Sequence, residues 1–418
     1  MSKEETTDLL ALAKQVLDFT SSIVSHLESL DHPQPNFSIS STLVPKDEKY
    51  EGLRNKLNDV ATDLLALVNG PHTQARKQTC QVHDLAAHQV AFHFDFFEVI
   101  PENGSAHLRE ISRKTGVDQD RAGRILRILC TQRIFKEVQK DTFAHTAYSV
   151  TIRRDEEMKA SGAYMLDENF KADSEASLSI KDGAKTPFEQ RHGMSVFEFY
   201  AKNPDKAARF AKAMAGITRL DRQMTELKSG FTWRNLGQNA KVVDIGGGSG
   251  HIGVALAREF PNLNVTVQDN NLDMLNTAKD QDLTGVEKRM TFMQYDFFTP
   301  QPIIDADVYF FRQVLHNWDD ESCVKMLKVV AKALENSKPG TALLINETIQ
   351  IEAGSASRFE EHLARQVDML LLVTFGAKHR TKADFDMLLG RADSRLRIVN
   401  VYSQGSMGLL EVHLDSDP

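Results

Sequence analysis

The sequence predicts an α/β protein, with a doubly wound, mostly parallel sheet in the C-terminal half preceded by an all-α and winged-helix region. From Ala240 onwards, short apolar segments alternate with helical segments, a pattern typical of parallel sheets. Before that point, apolar residues recur at helical spacing, and residues 105–152 have the order helix, turn, helix and two alternating segments. A chain of 418 residues has room for two or three domains of ordinary size.

The composition excludes several classes of protein. Hydrophobic residues make up 41% of the chain and the formal net charge is −8, so a disordered or fibrous chain is excluded and nucleic acid is not an expected partner. Cys80, Cys130 and Cys323 lack metal-binding spacing, so we expect no metal and no disulfide scaffold. The sequence has neither a long apolar run nor a signal peptide, which predicts a cytoplasmic protein without a membrane partner.

Apolar spacing and stop signals predict the first elements. Apolar residues recur at helical spacing over residues 1–30, which predicts a helix. Residues 31–48 contain three prolines and are predicted to form a loop. A second helix is predicted for Tyr50–Val68, ended by Asn69–Pro71, and a third for about residues 77–98.

A winged-helix pattern follows. A short helix over His107–Thr115 ends at Gly116, and Asp118 is placed to cap a helix that runs to about Gln132. Two strands are then predicted, over Ile134–Val138 and Tyr148–Ile152. Acidic residues stand at the start of the second helix, where contacts to DNA phosphates would be needed, so a structural module is favoured over a DNA-binding one.

Residues 186–228 read as helical, and the alternation of strands and helices begins at residue 240. The last two strands are close in sequence, which predicts an antiparallel hairpin at the edge of the sheet. The predicted strands are 240–245, 264–268, 291–294, 306–311, 340–347, 396–403 and 407–413, and the predicted helices between them are 251–260, 271–280, 321–336, 359–374 and 382–390.

The strongest motif is a glycine-rich turn after the first of these strands. Lys241–Ile245 is followed by Gly246–Gly250, so that a buried strand leads through glycines into a helix. Glycines allow a backbone to approach a ligand closely. Asp269 follows the next strand, about 20 residues further on, and is placed to bind two ribose hydroxyls. The glycines are not spaced as in the dinucleotide fingerprint, so an NAD-dependent dehydrogenase is the lesser interpretation.

Together with four later motifs, this turn resembles the S-adenosylmethionine (SAM)-dependent O-methyltransferases of the plant caffeic-acid type and their fungal secondary-metabolism relatives. The later motifs are Tyr295–Phe298, Phe311–Glu321, Ile345–Thr348 and Lys378–Thr381. The resemblance covers about residues 77–413. It implies a Rossmann-like SAM-binding domain over 236–418.

For the N-terminal part, the resemblance implies a helical and winged-helix domain over 1–180 that forms a homodimer. Residues 181–235 would be a helical connector that also supplies a wall of the substrate pocket.

The resemblance also implies roles for single residues. Gly246 would lie against the methionyl and ribose portion of SAM, Asp269 would bind the ribose hydroxyls, Asp296 and Phe297 would hold the adenine, and Arg312 would contact the cofactor. The predicted cofactor-binding residues are Gly246, Gly248, Asp269, Asp296, Phe297 and Arg312.

By the same resemblance, His316 is the general base and Glu347 the carboxylate that orients it. The chemistry agrees, because a neutral phenol is a poor nucleophile and an imidazole can take its proton. At the position of a second glutamate in the plant enzymes, this chain has His379. An imidazole cannot replace a carboxylate beside a developing imidazolium, so His379 is a candidate catalytic residue that departs from the standard base mechanism.

This departure leaves a second hypothesis open. Some fungal proteins of this fold keep the SAM site but act as pericyclases or dehydratases, chemistry that needs hydrogen-bond donors and an apolar pocket. The candidate donors are His316, His379, Arg380 and Thr232. The predicted pocket residues are Thr232, Met165, Phe197, Met369 and Phe375. A third hypothesis, a regulatory protein that binds SAM or DNA without catalysis, would require basic residues along an exposed recognition helix.

Overall fold

The structure is a computed structural model that describes residues 8–181, 183, 185–221, 224–279, 281–403 and 405–415. The chain divides into two compact units. The first comprises the chain up to Ile217 together with Gly354–Leu363, and the second comprises Thr218–Ala353 and the chain from Ala364 onwards.

The first unit is mainly helical. Its short sheet has three strands in the order β1-β3-β2, all antiparallel. A π-helical segment, Met165–Asn169, lies between α7 and α8. The elements are α1 (Leu9–Ser29), α2 (Glu48–His93), α3 (Phe96–Val99), β1 (Ala106–His107), α4 (Leu108–Thr115), α5 (Gln119–Thr131), β2 (Phe135–Gln139), β3 (Thr142–His145), α6 (Ala147–Arg154), α7 (Glu156–Tyr164), α8 (Phe170–Asp173), α9 (Pro187–His192), α10 (Val196–Lys202) and α11 (Pro204–Asp221).

Between the second and third predicted helices, the structure has a sharp break in the helix and not a loop. Gly70 leaves the helical conformation at φ 69° and ψ 166°, which glycine adopts without the steric cost of a Cβ. Pro71 then starts the next helical stretch directly, because proline is accommodated in the first turn of a helix. The third helix therefore begins earlier than the predicted residue 77.

The winged-helix prediction is confirmed for its helices and wrong for its second strand. Gly116 ends α4 at φ 72°, and the Asp118 side chain accepts the Arg121 N–H at the start of α5. Tyr148–Ile152, predicted as a strand, lies in α6. The Thr146 capping box starts that helix and overrides the alternating pattern, so Thr142–His145 pairs with β2 instead.

The second unit contains the doubly wound sheet. Its seven strands have the order β6-β5-β4-β7-β8-β10-β9, parallel as far as β8, with β10 antiparallel to both β8 and β9 as the edge hairpin that the sequence predicted. The elements are α12 (Thr225–Gly230), β4 (Ala240–Ile245), α13 (His251–Glu259), β5 (Leu263–Asp269), α14 (Leu272–Lys279), β6 (Met290–Gln294), β7 (Val308–Arg312), α15 (Asp320–Glu335), β8 (Ala342–Ile349), α16 (Arg358–Phe375), α17 (Lys382–Ala392), β9 (Leu396–Ser403) and β10 (Gly405–Leu414).

Alternate side chains of β4 enter two separate cores. Val243 packs in the cluster that includes α15 and α17, while Val242 packs in the cluster that includes α13. Helices therefore cover both faces, as expected for buried parallel strands. Because β4 pairs with β5 on one side and with β7 on the other, the strand order reverses at β4. In open α/β sheets, ligands bind at the carboxyl ends of the strands at such a switch point.

Candidate active site

The glycine turn after β4 closes onto the tip of β5. Gly246 has φ 73°, and a Cβ at that residue would lie 2.8 Å from a methyl group of Val314. The Gly248 N–H donates to Asp269 at 2.9 Å, and the Asn271 N–H donates to the other oxygen of the same carboxylate at 2.8 Å. The predicted residues Gly246, Gly248 and Asp269 are thus brought to one end of the sheet.

Asp244, at the end of β4, is a site residue to which the sequence analysis assigned no role. Its carboxylate is buried beneath the turn, and a Cβ at Gly247 would lie 2.5 Å from its Oδ2. Burial raises the pKa of Asp244 to about 7, although the positive charge of Arg312 partly opposes that rise. Within the part of the chain that the structure describes, Oδ2 has no hydrogen-bond partner. A buried carboxylate oxygen of this kind fits a cationic group of a ligand.

Asp296 and Phe297 lie beside the turn. Phe297 is half-buried, and its ring lies 3.8 Å from the Cβ position of Gly246. The ring also packs edge-on against Trp318, with ring centroids 5.6 Å apart. The Asp296 carboxylate accepts the Phe298 N–H at 3.0 Å, which fixes the loop that presents the aromatic ring. Phe297 therefore links the glycine turn to the segment that carries His316.

Arg312 ends β7 and is held from the neighbouring strand. Its guanidinium donates to the side-chain oxygen of Asn346 on β8. Asn346 is fully buried and donates in turn to the Gly408 carbonyl at 2.9 Å. Because this pairing spans β7, β8 and β10, Arg312 is held firmly at the carboxyl end of the sheet.

His316 and Glu347 form a buried pair. His316 lies in the 3₁₀ turn Leu315–Asn317, and its Nδ1 is 3.0 Å from Oε2 of Glu347 on β8. The contact is at ion-pair distance, although its angles fall outside those of an ideal hydrogen bond. Oε1 of Glu347 accepts the N–H groups of Val314 and Leu315 at 2.8 and 2.7 Å. Burial raises the pKa of Glu347, but the His316 charge and these hydrogen bonds outweigh it and hold that pKa below its usual value.

His379 is the second imidazole of this site. Its ring centroid is 6.0 Å from that of His316, with the ring planes at 62°, and both side chains are buried. The His379 N–H donates to Asp368 at 2.6 Å. The next residue, Arg380, forms a parallel bridge with Ile349 at the end of β8. The structure therefore brings the three predicted catalytic residues together.

Arg380 braces the turn that carries His316, a role that the sequence did not predict. Its buried guanidinium donates to the carbonyls of Leu315 and Trp318 at 2.9 and 2.8 Å. It also donates to Asp320 at 3.0 and 2.8 Å, and Lys378 donates to the other oxygen of that carboxylate at 2.9 Å. Through these contacts, the guanidinium of Arg380 donates its hydrogen bonds to protein groups and not to a ligand.

The predicted pocket residues are divided between the two units. In the first unit, Met165 is half-buried in the π-helical segment and Phe197 is exposed on α10. In the second, Thr232 is exposed before a 3₁₀ turn, Met369 is exposed on α16, and Phe375 is half-buried at the end of α16. Their role as pocket walls stays a prediction.

Comparison with known proteins decides the family. A family model for the O-methyltransferase domain matches residues 174–394. The O-methyltransferase sol2 of Alternaria solani is 45% identical over 413 residues, covering 97% of this chain and 95% of the relative. The chain belongs to the O-methyltransferase family. It falls in the fungal secondary-metabolism branch, as the sequence motifs predicted.

Solved structures confirm the fold. OxaC in complex with S-adenosylhomocysteine and oxaline has a TM-score of 0.75 at 25% identity, covering 97% of this chain and 100% of that one. LepI in complex with SAM has a TM-score of 0.70 at 19% identity, covering 96% and 100%, and this likeness concerns the fold alone.

This O-methyltransferase uses SAM, and the residues at the carboxyl end of the sheet fit it. The glycine turn leaves a cradle that a Cβ at Gly246 would narrow, and Asp269 stands at the tip of β5. The buried carboxylate of Asp244 suits the ammonium group of the cofactor's methionyl part. Among the residues that the structure describes, no helix is long and apolar enough to cross a membrane.

Proposed function

We propose that this O-methyltransferase methylates a phenolic or enolic hydroxyl of a polyketide-like secondary metabolite, with His316 as the general base. The observation that carries the proposal is the buried His316–Glu347 pair, with 3.0 Å between Nδ1 and Oε2. A carboxylate at Nδ1 keeps a proton on that nitrogen and leaves Nε2 free of it. Nε2 then accepts the proton of the acceptor hydroxyl as its oxygen becomes nucleophilic.

The bound cofactor supplies an electrophilic methyl carbon attached to a positively charged sulfur. Gly246, Gly248, Asp269, Asp296, Phe297 and Arg312 would hold it, together with Asp244. Glu347 stabilises the imidazolium that forms on His316, because its charge lies next to Nδ1 in a site that excludes water. The two N–H groups donated to Oε1 keep this carboxylate in place and ionised. Alignment of the acceptor oxygen with the methyl carbon would supply much of the rate.

We further propose a cytoplasmic homodimer, organised as the sequence predicted. Residues 1–180 would form the dimerisation domain, residues 181–235 the connector and pocket wall, and residues 236–418 the catalytic domain. Exposed apolar side chains on α1 and α2 support the dimer, since a monomer gains nothing from presenting them to water.

The alternative function, a SAM-bound pericyclase or dehydratase, draws its support from His379. A second imidazole beside His316 gives the site an additional hydrogen-bond donor, which such chemistry uses to polarise a carbonyl. The retained Glu347 favours methylation, because a base that takes a full proton needs a carboxylate partner.

The substitution His316→Ala tests the base directly. On a neutral phenol, we expect kcat to fall about 10²- to 10⁴-fold, because the variant lacks the imidazole that takes the proton. Mass spectrometry of the product and quantification of S-adenosylhomocysteine measure turnover, and calorimetry checks that the variant still binds S-adenosylhomocysteine. The matched control is His362→Ala, at an exposed histidine of α16.

Two results would contradict the proposal. Full methyl transfer by His316→Ala would remove His316 as the base. A wild-type product that is an isomer of the substrate or lighter by one water, without S-adenosylhomocysteine, would establish the pericyclase or dehydratase instead.

A further inference from the structure

Two buried glutamines of the second unit pair with each other. Gln268 lies on β5, and Gln301 lies in the segment between β6 and β7. Nε2 of Gln268 donates to Oε1 of Gln301 at 2.8 Å, and Nε2 of Gln301 donates back to Oε1 of Gln268 at 2.9 Å. Gln268 is fully buried and Gln301 is nearly so. Neither side chain has a part in the proposed mechanism.

The two amides also bond to other groups of the protein. Nε2 of Gln268 donates to the sulfur of Met293 at 3.5 Å, and Oε1 of Gln301 accepts the Ile303 N–H at 3.2 Å. A buried amide that loses its partner keeps the cost of its desolvation, so each glutamine depends on the other. The Gln268–Gln301 pair, which we call the amide pair, therefore attaches one segment of the chain to another.

The amide pair closes a loop over residues 295–301. This loop is attached at both ends to two adjacent residues of β5. At its start, the Tyr295 N–H donates to the Asp269 carbonyl at 3.0 Å. At its end, the side chain of Gln301 bonds to that of Gln268. Loss of the amide pair would therefore remove the second of these attachments.

Hydrogen bonds inside the loop connect its two ends. The Tyr295 hydroxyl donates to the Thr299 carbonyl at 2.8 Å, and the Thr299 hydroxyl donates to the Asp296 carbonyl at 2.6 Å. The Asp296 carboxylate accepts the Phe298 N–H at 3.0 Å. A displacement at either end of the loop is therefore transmitted to Asp296 and to its neighbour Phe297.

The same two residues of β5 receive the glycine turn. The Gln268 carbonyl accepts the N–H groups of Gly246 and Gly247 at 2.7 and 3.1 Å, and the Asp269 carboxylate accepts the Gly248 N–H at 2.9 Å. The bonds to the Gln268 carbonyl are made by the backbone and do not depend on the side chain at that position. The amide pair therefore controls the placement of the loop and not that of the glycine turn.

We propose that the amide pair positions the adenine of SAM, by holding Asp296 where its carboxylate accepts a hydrogen bond from the exocyclic amino group of the base. Asp269, next to Gln268 in the chain, would bind the ribose, so the pair sets the separation between the two carboxylates. This inference rests on the proposed function, which assigns the adenine to Asp296 and Phe297. Gln268 and Gln301 act through Asp296 and are therefore positioning residues.

The proposal predicts a preference between two bases. Adenine carries an amino group that donates hydrogen bonds, whereas hypoxanthine carries a carbonyl oxygen at the same place. An ionised carboxylate only accepts hydrogen bonds, so a correctly placed Asp296 favours adenine and repels that oxygen. The ratio of the affinities for S-adenosylhomocysteine and S-inosylhomocysteine therefore measures the position of the loop.

The test compares the wild type with the double variant Gln268→Met, Gln301→Met, in which both amides are replaced by apolar side chains of similar shape. Such a replacement of both partners is close to neutral for stability, whereas Gln301→Met alone leaves a buried amide unsatisfied and should lower the melting temperature more. By calorimetry, we expect the preference for S-adenosylhomocysteine to fall at least about tenfold in the double variant, corresponding to about 1.4 kcal/mol. Gln132→Met makes the same change at an exposed glutamine and should leave the preference unchanged.

Three results would overturn the inference: a wild type that binds both compounds equally, a folded double variant that keeps the preference, or an equal loss of affinity for both compounds. If the double variant does not fold by circular dichroism, the preference of Gln301→Met decides in the same way. Binding needs no methyl acceptor, so the inference and the proposed function fail separately. A lack of S-adenosylhomocysteine formation from SAM with phenols and enols would contradict the proposed function, and the binding preference would still decide the inference.

Discussion

At the scale of single residues, Asp244 shows the cost of burying a carboxylate at the end of a strand. Its carboxylate is buried at the end of β4, and burial raises its pKa to about 7. In the unfolded chain the same group titrates at an ordinary value near 4. Between these two pH values the folded protein holds a proton that the unfolded chain has lost. Stability therefore falls as the pH rises from about 4 to about 7, and is constant above that range.

We expect Asp244→Asn to stabilise the ligand-free protein at pH 8 relative to the wild type, by up to about 4 kcal/mol, and to make little difference at pH 4. An amide is neutral at both pH values, so it avoids the cost of burying a charge. Urea denaturation at the two pH values measures the difference. The same variant should bind S-adenosylhomocysteine more weakly, because it lacks the charge that would meet the ammonium group. An equal change in stability at both pH values would show that Asp244 is not protonated in the fold.

Several site residues were predictable from the sequence because the carboxyl ends of parallel strands meet at one edge. Asp269, His316 and Glu347 each follow or end a predicted strand, and the structure places all three there. The role of Arg380 was not predictable, since it depends on the direction of a side chain that reaches back to α15 and to the turn before it. The burial of Asp244 was likewise visible only once the turn was folded above it.

At the scale of elements, the turn Leu315–Asn317 determines where His316 points. Glu347 accepts two backbone N–H groups on one side of the turn. Arg380 donates to the carbonyls of Leu315 and Trp318 on the other. A short 3₁₀ turn has weaker internal hydrogen bonds than an α-helix, so these outside contacts fix its geometry.

Arg380→Lys should lower kcat by about tenfold to a hundredfold, because a lysine cannot bind both carbonyls and Asp320 together, and a small displacement of the base is costly. The affinity for S-adenosylhomocysteine should change little. Steady-state kinetics and calorimetry separate the two effects, and circular dichroism confirms the fold. Arg380 is a positioning residue, so the pH profile of kcat should also change if His316 loses its orientation towards Glu347.

Lys378→Met provides the matched control for this turn. Lys378 is half exposed and donates to the same carboxylate of Asp320, which lies outside the turn. The variant should keep kcat within about twofold, since an exposed ion pair contributes about 1 kcal/mol or less. Equal losses of kcat in Lys378→Met and Arg380→Lys would mean that Asp320, and not the bracing of the turn, sets the activity.

At some element boundaries, local hydrogen bonding overrides the secondary structure that the apolar pattern predicts. Tyr148–Ile152 alternates as a strand does, yet Thr146 and Ser149 form a capping box and the segment folds as α6. The cap determines the backbone at the first turn, and Val150 and Ile152 are still buried from a helix. In the second half, the strands and helices follow the prediction closely, because buried parallel strands are long apolar runs with clear glycine and helix signals between them.

At the scale of the whole molecule, the N-terminal helices present an apolar surface. Leu17 on α1 is 64% exposed, and Leu65 and Val68 on α2 are 57% and 65% exposed. These helices pack against each other, so the exposed side chains lie outside that contact. In the proposed homodimer, a second copy of the chain would cover these side chains. Each Å² of apolar surface removed from water would stabilise the dimer by roughly 25 cal/mol.

We therefore expect the double variant Leu17→Glu, Leu65→Glu to be monomeric where the wild type is a dimer. Each glutamate would have to lose its hydration at the interface, and we expect a cost of about 2 kcal/mol or more per site, as for residues that dominate an interface. Size-exclusion chromatography with light scattering, over a range of protein concentrations, measures the shift. Because both positions are exposed, circular dichroism and the melting temperature of the monomeric form should show an intact fold. Leu178→Glu, at a leucine that is also 64% exposed but lies outside α1 and α2, should leave the dimer unchanged. A wild type that stays monomeric at all concentrations would contradict the homodimer, and a dimeric double variant would move the interface away from these helices.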